Sequence, residues 1–194
     1  MSSNHLAHHF RYMAFYNKQC TERLISTFCK GKENGEAIDA VYSKGIKLFF
    51  NSMHGTMNHL LGADELWYAR ITGCHMPQDI YPIYSLDGDA LGKAWEDRFE
   101  KEELFSRLQV QCNKWITLLK DKDDEWCLED ITYGDTEGND IIIVRAAGLT
   151  QVFNHATHHR GQISTGFANF GIECPSFDHQ GLGDFFLKYE VASS

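Results

Sequence analysis

The sequence predicts an all-α fold: a four-helix bundle with a short β-hairpin before the last long helix and a short helix at the C-terminal end. Three observations carry that expectation. Long stretches repeat apolar residues at helical spacing. Two strand-like runs flank a glycine-bearing turn. The 194 residues contain only three prolines beside 43% hydrophobic residues, a composition that suits packed helices rather than disorder. A chain of this length is expected to form one domain, residues 1–194, with a full hydrophobic core.

The first helix is expected over about residues 6–29, where Phe10, Met13, Phe15, Tyr16, Cys20, Leu24, Ile25 and Phe28 recur at helical spacing before Gly31 and Gly35 break the pattern. A polar connector leads to a second helix over about 46–72. Its apolar face is Phe49, Phe50, Met53, Met57, Leu60, Leu61, Trp67, Tyr68 and Ile71, and Gly73 is placed to end it. Residues 74–88 hold two of the prolines and read as an ordered loop. A third helix over about 89–120 carries Trp95, Phe99, Leu104, Leu108, Cys112, Trp115, Ile116 and Leu119, with charges outside. Strand-like runs at 126–133 and 140–144 enclose the turn Gly134 to Asn139. The last long helix spans about 145–170, and a glycine-rich tail precedes a short helix near 182–189.

Charge and cysteine usage exclude several classes of function. A formal net charge of −9 without a basic cluster repels nucleic-acid phosphates. No 18-residue apolar run suggests a membrane span, and the opening residues do not read as a signal peptide. Cys20, Cys29, Cys74, Cys112, Cys127 and Cys174 are scattered without a Cys-x-x-Cys pair, so they read as reduced core thiols of a cytoplasmic protein.

The chemistry concentrates on the last long helix, at Asn154 to Gln162 (NHATHHRGQ). At 3.6 residues per turn His155 and His159 lie one turn apart, within about 40° of each other. Two imidazoles so placed suit one divalent metal. A helical projection gathers Leu149, Val152, Phe153, Ala156, Ile163, Phe167 and Phe170 into one stripe. His159 sits just off its centre, His155 at its margin, and His158 points away into solvent. Arg160 falls inside the stripe, which demands a partner for a buried guanidinium.

A metal site in a bundle needs a further ligand from a facing helix. The second helix offers both His54 and His59, and periodicity does not choose between them. His54 lies nearer the Phe49/Met57/Leu60 stripe, whereas His59 flanks it beside Thr56 and Ala63. Asp64 projects to the centre of that stripe, so Asp64 and Arg160 are expected to pair across the core. Removing one partner of such a pair would cost about 3–5 kcal/mol.

Residues His59 to Trp67 (HLLGADELW), Ala69 to Gly73 (ARITG) and Asn154 to Gln162 resemble the DinB family of DinB/YfiT-like metal-dependent enzymes. Tyr16 and Asn17, the hairpin from Tyr133 to Gly138, and Pro175 to Asp178 extend the resemblance over nearly the whole chain, while His179 to Gly183 departs from the family pattern. The resemblance implies a four-helix bundle, commonly a homodimer, holding zinc or nickel on three histidines. Carried onto this chain, those are His59, His155 and His159. By analogy it selects His59 over His54.

Three neutral imidazoles with an open coordination position form a catalytic type of site. A metal held so acidifies a bound water or thiol, which supports either hydrolysis or thiol transfer. Family relatives include transferases using low-molecular-weight thiols, so the expected partner is a small-molecule substrate, one class being such a thiol. Arg160 is the candidate substrate contact if it is not paired internally. The other expectations are a non-catalytic, metal-binding, stress-associated dimeric module, or a bundle whose histidines only fill the core. Trp67, Trp95, Trp115 and Trp126 read as core or interface residues, the acidic run Glu96 to Glu103 as a solvated face, and His75 as a surface histidine.

Overall fold

The computed structural model describes residues 4–177 except 31, 34, 35, 47 and 136. The short helix expected near 182–189 lies outside the described residues. The chain is mostly helical. Helix α1 spans His5–Phe28. Two-residue strands β1 (Lys32–Glu33) and β2 (Glu36–Ala37) pair antiparallel and lead to α2, Ile38–Tyr42. There follow α3 (Met53–Thr72), α4 (Tyr81–Tyr84), α5 (Gly88–Glu96), α6 (Lys101–Leu119) and α7 (Asp124–Leu128). Strands β3 (Asp130–Gly134) and β4 (Asp140–Val144) pair antiparallel in register Ile131↔Ile143, and α8 (Arg145–Asn169) closes the described chain. Helix α1 packs chiefly on α6, and α3 chiefly on α8. No helix among the described residues is long and apolar enough to cross a membrane.

Three expected elements differ. The second helix starts at Met53 rather than near residue 46 because Ser52 caps it, its hydroxyl accepting the Gly55 N–H at 3.1 Å. The preceding segment folds back, with Asn51 in the left-handed region (φ 65°) and the Ile46 N–H bonded to the Asn51 carbonyl at 2.7 Å. Phe49, expected on the apolar face, is 69% exposed. The third helix is broken into α5 and α6 because side chains from α3 satisfy the carbonyls at the break. His54 Nε2 donates to the Glu96 carbonyl (3.1 Å) and Asn58 Nδ2 to that of Phe99 (3.2 Å), while Arg98 turns to Glu65 (2.7 Å) and Asp79 (2.9 Å). The first strand is shorter than expected, since Asp124–Leu128 forms a helix capped by Asp123, whose carboxylate accepts the Trp126 N–H at 2.9 Å.

The hairpin turn takes its shape from Asp135, which accepts the N–H groups of Glu137 and Asn139, both at 2.8 Å, ahead of Gly138 at φ 86°. Gly73 ends α3 in the left-handed conformation, φ 70°. The cysteines are all free, but they are not all core thiols: Cys29 and Cys74 are exposed, whereas Cys20, Cys112 and Cys127 are buried. Trp95 and Trp115 are fully buried, and Trp67 and Trp126 half-buried.

Two apolar clusters form most of the core, one around Leu24, Met57, Leu61, Leu108 and Ile163, the other around Ala14, Ile71, Trp115 and Phe153. A belt of buried polar residues lies between them: Asn17 on α1, Asp64 on α3, Gln111 on α6 and Arg160 on α8. The expected Asp64–Arg160 ion pair does not form. Asp64 instead accepts hydrogen bonds from α6, from Gln111 Nε2 at 3.0 Å and from Trp115 Nε1. Arg160 donates Nη1 to Asn17 of α1 (2.5 Å) and Nη2 to Thr157 (3.1 Å), with its guanidinium over Tyr16. Each charge thus finds a neutral partner on another helix. Burial pushes the Asp64 carboxyl up to about 6, against the lowering effect of those two bonds and the more distant Arg160.

Candidate metal centre

Helix α3 brings one imidazole to the centre and α8 brings two. The helices run antiparallel, so His59, early in α3, meets the middle of α8, while Trp67 and Ile71 pack over Gly148 near the start of α8. Gly55 and Gly62 set the depth of His59. A Cβ at Gly55 would collide with the Phe50 carbonyl, and one at Gly62 would lie 2.6 Å from the Trp95 indole. Their absence lets the folded-back segment lay the Phe50 ring on His59, with centroids 4.0 Å apart and planes at 23°. Trp95 meets His59 edge-on at 4.9 Å, its ring 6.3 Å from that of Phe50.

The structure brings together the three histidines named from the sequence. His155 Nε2 lies 3.2 Å from His59 Nε2 and 3.0 Å from His159 Nε2, and one ring nitrogen from each of the three falls within 4.8 Å of the others. A cation bonded to imidazole nitrogens at about 2.0–2.1 Å separates neighbouring nitrogens by roughly 2.8–3.4 Å for right-angled to tetrahedral arrangements. The spacing fits. Among the described residues no fourth histidine, cysteine or carboxylate joins the group.

The electrostatics also suit a cation. Burial first, and then the charges the other histidines would carry, push His59 down to about 2. His155 falls to about 4 for the same two reasons. His159 also falls to about 4 through burial, against a bond to Gln162 that favours its charged form. All three are therefore neutral near pH 7, with nitrogen lone pairs to share. Gln162 Oε1 accepts from His159 Nδ1 at 2.7 Å, which keeps the proton on Nδ1 and turns the Nε2 lone pair to the cluster. The Gln162 amide nitrogen donates to exposed His158 at 3.1 Å, so His158 has a supporting place outside the cluster.

His54 is buried but committed to the α5–α6 break. His75 is exposed, as expected. Arg160 is only 2% exposed and bonded within the core. The sequence placed Phe50 on an apolar helix face and gave neither it nor Gln162 a place at the centre. Gln162 was within reach of sequence reasoning, standing three residues after His159 on one helix face. Phe50 was not, since its place depends on the reversal before Ser52.

Fold and site together define the class: a mostly helical protein with three buried, neutral imidazoles converging from two helices. The chain belongs to the DinB family, whose family model matches residues 1–184. Among curated proteins no relative matches it.

Proposed function

We propose that this DinB-family protein binds one divalent cation, zinc or nickel, through His59, His155 and His159, and acts as a metal-dependent transferase or hydrolase on a small molecule. The observation that carries this reading is the convergence of three neutral Nε2 atoms with no fourth protein donor among the described residues. In this reading α1, α3, α6 and α8 are the members of a four-helix bundle, and the site lies where α3 meets α8. A cation held by three imidazoles with an open position supplies Lewis acidity, lowering the pKa of a bound water or thiol.

The chain's own residues do the rest. Gln162 fixes the His159 tautomer. Phe50 and Trp95 cover His59 and exclude water from that side. His155, half-buried, borders the approach from solvent. Cobalt substitution tests the reading and separates the two chemistries. A sulfur-to-cobalt absorption band on adding a small thiol supports thiol transfer. A visible spectrum that ignores thiols but changes with pH supports hydrolysis. Failure to take up cobalt contradicts the reading.

A further inference from the structure

The arginines near the centre are satisfied very unequally. Arg98 gives Nη2 to Glu65 and Nε to Asp79. The Arg70 side chain makes no hydrogen bond or ion pair among the described residues, and its Nε is buried without a partner. Instead its guanidinium lies over two rings, 4.4 Å from the centroid of Tyr133 and 5.0 Å from that of Trp67. Its terminal nitrogens take no protein partner among the described residues, and a guanidinium with unpaired terminal nitrogens can dock a carboxylate in bidentate fashion. A place in the last turn of α3 gives any cation a mild helix-dipole role. That role does not call for two aromatic neighbours.

Arg70 also lies in line with the histidines. It follows His59 on α3 by about three turns, within roughly 20° of the same face. The Tyr84 ring meets His59 edge-on, with centroids 6.2 Å apart. On a chain with a formal net charge of −9, a small anion is repelled overall and needs such a local cation.

We infer that Arg70 is the substrate's carboxylate anchor, so that the centre acts on small organic acids whose reactive end reaches the histidines while the acid group rests on the Arg70 edge. The inference deepens the metal-dependent reading and rests on it. The cobalt-loaded full chain is titrated with ω-mercaptoalkanoic acids and with ω-mercaptoalkanols of equal length, affinity being read from the sulfur-to-cobalt band. Over a limited span of lengths the acids bind about tenfold or more tighter than the alcohols. Arg70→Gln abolishes that preference without changing alcohol affinity, and Arg70→Lys, which keeps the charge but not the fork, retains part of it. Equal affinities in the unmodified chain, or a preference that survives Arg70→Gln, overturn the inference while leaving the metal reading intact. If Arg70→Gln does not fold, an unchanged preference in Arg70→Lys overturns it. A cobalt centre that takes no thiol of either series removes the thiol reading. The metal-free chain then decides by calorimetry with hexanoate against hexanol: heat with hexanoate that Arg70→Gln loses supports the anchor, and no heat overturns it.

Discussion

At His59, His155 and His159 burial sets the protonation state before any cation arrives. Unfolded, these side chains take up protons near pH 6.5; folded, His155 and His159 do so only near 4 and His59 near 2. The unfolded state therefore binds more protons between those limits, and stability falls as pH drops below 6.5. Asp64 acts in the opposite sense between its ordinary value of 3.8 and about 6, but it is one group against three. The urea midpoint of the metal-free protein is predicted to be lower at pH 5 than at pH 7, and the difference to shrink when His155 and His159 are both replaced by Ala. Gln162 offers a second test at this scale. Removing the acceptor from His159 Nδ1 with Gln162→Ala should weaken metal binding by about 10–100-fold, read by competition with a chromophoric chelator.

Among the elements, the ends and interruptions of helices decide where the site stands. His54 and Asn58 hold the α5–α6 break, so His54→Ala should cost about 1–3 kcal/mol by leaving the Glu96 carbonyl without its donor, with metal affinity unchanged. Chemical denaturation and metal titration of that variant, beside His59→Ala, check the division of labour. Gly62→Ala should destabilise by about 1–3 kcal/mol through overpacking against Trp95. The sequence made α1 and α8 legible almost to the residue, because apolar residues recur at helical spacing over the whole length of each. It did not reveal the break after Glu96, since Trp95 and Phe99 keep helical spacing across it and no glycine or proline stands between Trp95 and Leu104. Bonds from α3, remote in the chain, end α5 there. The start of α3 was hidden for a related reason. Phe49 and Phe50 look like one apolar face, yet one is in solvent and the other stacks on His59.

Across the whole molecule, a polar belt divides the core, with Asp64 tied to α6 and Arg160 to α1. The sequence showed that both residues were buried but not their partners, because a helical projection reports which face is inward and not which neighbour meets it. Asp64→Asn, which keeps the oxygen that accepts from Gln111 and Trp115, should be tolerated far better than Asp64→Ala, which strands both donors at about 1–3 kcal/mol each; urea titration ranks them. A cation bound only by the folded state at about 100 times its Kd adds about 2.7 kcal/mol, so zinc should raise the Tm by roughly 5–10 °C and a chelator reverse it. The most direct measurement is the metal content of the protein isolated without chelators or a nickel column. About one divalent ion per chain, lost when His59, His155 and His159 are replaced by Ala, is the predicted result. A metal-free chain, or one whose metal survives those replacements, would contradict it.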